Sequence, residues 1–311
     1  MESIITIVGF LGAGKTTLLK FVLEKFLGSN FSPYLILNDF ENAELDAQQF
    51  TKLLDSRSIK ALSGNCICCS GIMELRNMVN RIPKRKNGIT IIEANGTSDA
   101  CSLMEFLGVG IEERFLPPIQ ISVVDVKNWQ KRGVQNELES NQIQVSSLIV
   151  LMHTEGTSLE LKEEVIKSIK SINPMASVST LHDIHISLFP KLLPSKNKVQ
   201  KFDHQKAHWS SCSVDLPDLQ SIEGIYEICE SLPKSILRVK GCARINGEEN
   251  HTYFERTPAG VIHTRPFRGV PITGSKLLTI GPGSEPKILK MAIENRINLS
   301  SSYQRKNIKH L

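Results

Sequence analysis

The residues with the clearest chemical capacity stand near the N-terminus. Gly9-Phe10-Leu11-Gly12-Ala13-Gly14-Lys15-Thr16 satisfies G-x-x-x-x-G-K-[ST] at every defined position. Glycines at Gly9, Gly12 and Gly14 let the main chain turn until several N–H groups face one phosphate, where side chains would block the approach. A helix opening at this point adds the partial positive charge of its N-terminus. Lys15 is the candidate to reach the β- and γ-phosphates, and the Thr16 hydroxyl the candidate to hold magnesium. Ala13 and Thr17 belong to the same cradle.

A second acid is needed on a neighbouring strand. Glu93 ends the apolar run Ile89-Thr90-Ile91-Ile92 and precedes Ala94-Asn95-Gly96. Open α/β sheets bind ligands at the carboxyl ends of their strands, so Glu93 is the candidate to serve magnesium and, with Lys15, catalysis. Gly96 would let the backbone pass close to the terminal phosphate. Asp125, which ends another apolar run, competes with Glu93 for the role.

The third group is Cys66-Ile67-Cys68-Cys69. Soft thiolates select zinc, copper(I) or similar ions, and three of them with an open fourth position suit transfer better than structural closure. The spacing is not that of a zinc finger. A helix beginning near Ile72 lowers the thiol pKa values and favours metal binding. A redox switch and simple burial are the alternatives for Cys66, Cys68 and Cys69. Cys101, Cys212, Cys229 and Cys242 are scattered and read as buried.

These groups need a scaffold of a particular kind. Short runs rich in Ile, Val and Leu fall at 4–8, 34–37, 89–92, 119–124, 148–151 and 176–180. Few polar residues interrupt them, which suits strands buried on both faces. Helical spacing appears between them, as at 16–26, 72–82 and 159–172. The alternation predicts an α/β fold: a P-loop domain with a mostly parallel sheet covered by helices, spanning 1–190. A linker at 191–204 contains Pro194 and the lysines Lys191, Lys196, Lys198 and Lys201. Residues 205–299 then read as a smaller α+β domain. Its strands are expected at 208–214, 236–245, 251–256, 261–267 and 276–280, with helices at 219–232 and 286–295. Residues 300–311 read as a disordered tail.

Bulk properties narrow the function classes. The 311 residues carry a formal net charge of +5, modest for the length and no argument for DNA or RNA. No apolar run is long enough to cross a bilayer, and no basic, apolar and small-residue signal pattern opens the chain. The expected compartment is the cytoplasm, with no membrane or nucleic-acid partner. Seven cysteines, clustered as they are, read there as a metal or redox site before a disulfide framework.

The chain resembles the CobW-like metallochaperone GTPases. The resemblance rests on the phosphate loop through Thr17, Leu37-Asn38-Asp39-Phe40, Gly64-Asn65-Cys66-Ile67-Cys68-Cys69, Ile91-Ile92-Glu93-Ala94-Asn95-Gly96 and Val123-Val124-Asp125. It continues through Ile172-Asn173-Pro174, Leu232-Pro233 and Ile236-Leu237-Arg238-Val239-Lys240-Gly241. It implies a GTPase domain and a CobW-type C-terminal domain that load a transition metal, often zinc or cobalt, onto a metalloprotein client. Cys66, Cys68 and Cys69 would bind that metal, Glu93 would serve magnesium, and Asn38 and Asp39 would lie in a nucleotide-sensing switch. The family usually carries Asn-Lys-x-Asp for the guanine base; here the place reads Met152-His153-Thr154-Glu155. Glu155 would accept the hydrogen bonds of the guanine edge and His153 would stack on the base, so GTP is expected and ATP is an alternative. Glu41 and Asn42 also depart from a glycine and a glutamate in the switch. Beside the GTP-hydrolysing metallochaperone stand two other readings, a catalytically weak nucleotide-regulated metal binder and a P-loop kinase of small molecules. A homodimer is compatible with all three.

Overall fold

The computed structural model describes residues 1–39, 43–63, 72–195, 211–257, 260–267, 271, 274–281 and 283–295. The chain divides into two compact units, Met1–His208 and Trp209–Leu311.

In the first unit the apolar runs become parallel strands. They are β1 (Ser3–Val8), β2 (Ser32–Asp39), β3 (Ile59–Ser63), β4 (Gly88–Glu93), β5 (Ile119–Asp125), β6 (Leu148–Met152) and β7 (Ser177–Thr180). They form one sheet in the order β3-β2-β4-β1-β5-β6-β7, with every pair parallel. β5 and β6 are buried along their whole length, as strands covered on both faces must be. The helices are α1 (Lys15–Leu27), α2 (Ala43–Gln48), α3 (Ile72–Asn80), α4 (Ala100–Leu107), α5 (Asn136–Gln144) and α6 (Leu159–Ile172). One core joins α1 through Leu18, Leu19, Val22 and Phe26 to Ile5, Ile7, Ile91 and Ile121 of the sheet. The opposite face is closed by α3 and α4, with Leu75, Val79, Leu103 and Leu107 against Ile4, Val8, Ile36 and Ile92.

The expected parallel α/β domain is therefore present, with one strand more than the apolar runs indicate. β3, Ile-Lys-Ala-Leu-Ser, is an edge strand with exposed Lys60 and half-exposed Ala61, so it lacks the unbroken apolar character of the inner strands. The short helix α2 and helices α4 and α5 also fall where no helical spacing was identified. For α5 the cause is plain: its buried side chains include Glu139, Asn141 and Gln142, so polar residues face inward.

The second unit is a smaller antiparallel sheet. Strands β8 (Ser211–Asp215), β9 (Arg238–Ala243), β10 (Thr252–Arg256), β11 (Ile262–Pro266) and β12 (Lys276–Ile280) run in the order β11-β10-β9-β12-β8. Helix α7 (Glu223–Ser231) and a helical run at 286–295 pack on one face. There Ile225, Ile228, Leu289 and Ile293 meet Val239, Phe254 and Leu277.

Candidate phosphate and magnesium site

β1 occupies the centre of the parallel sheet and delivers the Gly9–Thr16 loop at its carboxyl end, with β4 on one side and β5 on the other. The glycine positions are required by geometry. Gly9 has φ 148°, and a Cβ there would stand 2.5 Å from the Val123 carbonyl oxygen. Gly12 and Gly14 have φ 76° and 102°, in the left-handed region that L side chains rarely adopt. Gly14 caps α1 without a side-chain bond, so the first helical amides are open toward the loop. Ala13 turns its amide inward, donating to Phe10 O at 3.1 Å.

Lys15 is 5% exposed and folds back over the loop, donating to Gly9 O at 2.9 Å and Phe10 O at 3.3 Å. Thr16 donates its hydroxyl to Glu93 Oε1 at 3.0 Å. Register places Glu93 opposite Ile7 of β1, and the Ala94 amide donates to Ile7 O at 2.9 Å. The sheet thus brings Lys15, Thr16 and Glu93 to one edge. Hydroxyl and carboxylate oxygens are the hard donors that magnesium prefers, so this pair fits that ion. Thr17 is exposed at the start of α1.

Asp125, the competing acid, is engaged elsewhere. It accepts from Lys127 N at 3.1 Å and Asn128 Nδ2 at 2.7 Å, and lies 3.2 Å from His153 Nδ1 and 3.7 Å from an Arg132 nitrogen. Burial pushes its carboxyl up, but the bonds from His153 and Asn128 and the Arg132 charge win, and its pKa is lowered. His153 is held in this pair in a left-handed conformation, φ 56°. Glu155 is exposed, and Met152 packs beneath Gly14, whose Cβ would meet Met152 Cε at 2.9 Å.

Three residues at the site lie outside every motif. Arg132 stacks on Phe10 of the loop, 4.3 Å from its ring centroid, and pairs with buried Glu139 at 2.7 Å; burial raises the Glu139 pKa. Gln142 reaches the loop after Glu93, donating to Gly96 O at 3.0 Å and Ser98 O at 3.2 Å. No periodicity or short motif signals these residues. Cys66, Cys68 and Cys69, with Glu41 and Asn42, lie outside the described residues. Among the described residues no group of His, Cys, Asp or Glu is arranged to hold a metal ion, and no helix is long and apolar enough to cross a membrane. Cys101, Cys212, Cys229 and Cys242 are buried thiols, and burial pushes the Cys229 and Cys242 thiols up to about 12.

Residues 3–180 match the family model described as CobW/HypB/UreG, nucleotide-binding domain. The chain is 27% identical over 277 residues to the zinc chaperone YjiA of Escherichia coli (strain K12), covering 80% of this chain and 84% of that protein. It is 25% identical over 206 residues to the zinc-regulated GTPase metalloprotein activator 1 of Dictyostelium discoideum, covering 54% of this chain and 43% of that protein. Among solved structures it is similar to the Zn(II)-bound YjiA GTPase from E. coli, at 20% identity and a TM-score of 0.42 over 94% of this chain and 98% of that one.

Proposed function

The chain belongs to the CobW/HypB/UreG family, and from that premise we propose that it is a GTP-hydrolysing metallochaperone, which binds a transition metal through Cys66, Cys68 and Cys69 and passes it to a metalloprotein client. Zinc is the metal we favour, because the curated relatives are named a zinc chaperone and a zinc-regulated GTPase. The observation that carries the reading is the placement of Lys15, Thr16 and Glu93 on one edge of the sheet, around a loop of amides.

In this reading the amides of the loop and Lys15 hold the β- and γ-phosphates. Lys15 exchanges its carbonyl partners for phosphate oxygens, which makes its charge available without a large rearrangement. Thr16 and Glu93 would hold magnesium, and the chemistry a bound magnesium supplies is neutralisation of charge on the phosphate oxygens. Water attacks the γ-phosphorus, the bond to the bridging oxygen breaks, and GDP and phosphate leave. Arg132 and Glu139 keep Phe10, and through it the loop, in place.

The cysteine segment joins Ser63 at the carboxyl end of β3 to Ile72 at the start of α3. β3 runs parallel to β1 in the same sheet, so that segment leaves the sheet on the edge that also carries the phosphate loop. The cytosol is the compartment that keeps such thiols reduced.

A second reading, slow turnover with relaxed base preference, draws on the base-binding segment. Met152 is apolar and His153 is engaged by Asp125, whereas a base edge is read by paired donors and acceptors. Competition of GTP against ATP with zinc present, together with turnover of each, decides between the readings: ATP binding as tightly as GTP with negligible hydrolysis favours the second. Replacement of Cys66, Cys68 and Cys69 by alanine together is expected to abolish tight zinc binding, and undiminished zinc stoichiometry in that variant would remove the metallochaperone reading. Zinc affinity is expected to differ between GDP and a non-hydrolysable GTP analogue, since a ligand shifts an equilibrium only through differential affinity.

A further inference from the structure

Gln142 is 1% exposed, on the inward face of α5. Its carboxamide nitrogen donates to two carbonyls of one loop, Gly96 O at 3.0 Å and Ser98 O at 3.2 Å. Two carbonyl acceptors fix the orientation of the amide, because the reverse would set oxygen against oxygen. The clamped loop follows Glu93 directly and presses on the phosphate loop. A Cβ on Gly96 would stand 2.8 Å from the Leu11 main-chain nitrogen.

The helix that carries Gln142 is anchored at that same turn. The Gln142 carbonyl accepts from Gln120 Nε2 at 2.7 Å and from Ser122 Oγ at 2.5 Å, which fastens it to β5. Beyond it, Asn173 Nδ2 donates to Ile143 O at 2.7 Å and Ser146 O at 3.0 Å. The segment 94–98 is thus held between the phosphate loop and a fixed helix.

We infer that Gln142 is a positioning residue for sensing the nucleotide state: by clamping the Gly96 and Ser98 carbonyls it presets the segment after Glu93 to meet a terminal phosphate, and so sets how strongly the protein distinguishes a nucleoside triphosphate from the diphosphate. The inference rests on the nucleotide reading above and adds a residue that no motif contains. Its physics is preorganisation. A loop already ordered binds the terminal phosphate at full strength, whereas a loose loop must be ordered at the expense of that contact. The diphosphate ends short of the segment and is indifferent to it.

The test compares wild type with Gln142→Met, which keeps the length and removes both donors. Calorimetry with magnesium gives the affinities for a non-hydrolysable GTP analogue and for GDP, and hydrogen exchange reads the amides of 94–98. The variant is expected to lose about ten-fold in analogue affinity, the scale of one or two neutral hydrogen bonds, with GDP affinity held. Exchange at 94–98 is expected to quicken. Asn173→Ala serves as the control, since it loosens the end of the same helix without touching the clamp; it is expected to lower Tm and keep the wild-type ratio of affinities. A wild-type ratio and wild-type exchange in Gln142→Met would overturn the inference, as would an equal loss of ratio in Asn173→Ala. If Gln142→Met does not fold, Gln142→Leu carries the test, because it also removes both donors with a smaller apolar side chain; a wild-type ratio there overturns the inference as well. Wild-type protein that binds neither nucleotide would refute the nucleotide reading itself, and is recognised before any variant is compared.

Discussion

Gly96→Ala is the substitution that probes the proposed site most directly. Gly96 does not have a positive φ, so alanine is allowed conformationally and only space is at issue. The new Cβ would lie 2.4 Å from Leu11 Cδ2 and 2.8 Å from the Leu11 main-chain nitrogen. The methyl contact is relieved by a rotamer change, although Leu11 is 1% exposed and has little room. The contact with the nitrogen is relieved only if the backbone of one loop moves. Overpacking of this kind costs roughly 1–3 kcal/mol, which for a unit of this size is a fall in Tm of roughly 2–12 °C. Two relaxations are available, and they separate in the binding data. If segment 94–98 retreats, it breaks the bonds from Gln142, and affinity for a triphosphate analogue falls by about 5–150-fold with GDP affinity kept. If the phosphate loop retreats, both affinities fall together. Calorimetric titration of the two nucleotides beside a thermal melt distinguishes these. The bonds from Gln142 are weaker than a displaced main chain in the phosphate loop, so the first outcome is expected. Wild-type Tm and wild-type affinities for both nucleotides would refute the steric argument entirely.

Other substitutions address separate parts of the site. Thr16→Ala removes the hydroxyl that donates to Glu93, and magnesium-dependent triphosphate binding is expected to fall by roughly 10–150-fold, the scale of a bond to a charged group; equal losses with and without magnesium would count against the assignment. Arg132→Met leaves Glu139 buried without its guanidinium, at a cost of about 3–5 kcal/mol, whereas Arg132→Met combined with Glu139→Gln is expected to recover most of that in urea melts, and no recovery would show the ion pair to be irrelevant. For pH, folding lowers the Asp125 pKa below the ordinary 3.8, so its contribution is present above that value and is lost as pH falls through the folded one. Glu139, raised above 4.5 by burial, runs the other way: its contribution is full below 4.5 and fades as pH rises through its folded value. Asp125→Asn is therefore expected to flatten the fall of Tm as pH drops below the ordinary Asp value of 3.8, and an unchanged acid limb would contradict the role given to its bonds.

The inner sheet was legible because β4, β5 and β6 are buried on both faces and so consist of Ile, Val and Leu with few interruptions. The phosphate loop was legible because left-handed φ values at Gly12 and Gly14 and the close approach at Gly9 leave no other residue at those positions. β3 was hidden by its exposed edge. Helix α5 was hidden for the opposite reason: Gln142 and Asn141 are buried to bond carbonyls and a cap rather than to pack, and a periodicity of apolar residues does not register that. Arg132 was invisible because its partners, Phe10, Asp125 and Glu139, come from three separate segments. Sequence spacing reports neighbours along one element, and these contacts exist only once the sheet is assembled.

The two flanks of the phosphate loop are built from different contacts. On the β5 side, Gly9 is closed against Val123, Met152 fills the space under Gly14, and Arg132 is stacked and ion-paired. Packed cores of this kind resist small displacements. On the β4 side, Glu93 leads into a buried segment held by the Ala94 amide on Ile7 O, by Thr97 and Ser98 on Asn95, and by the two bonds from Gln142, with Gly96 closed against Leu11. From that segment the chain enters α4, where Asp99 accepts from the amides of Cys101 and Ser102, both at 3.0 Å. Leu103 and Leu107 of α4 share one apolar cluster with Ile72, Leu75 and Val79 of α3. Ile72 is the first residue of α3 and follows the cysteine segment in the chain. Under the proposed function, the segment after Glu93 is thus joined through α4 to the apolar cluster of α3, the helix that follows the cysteine segment in the chain.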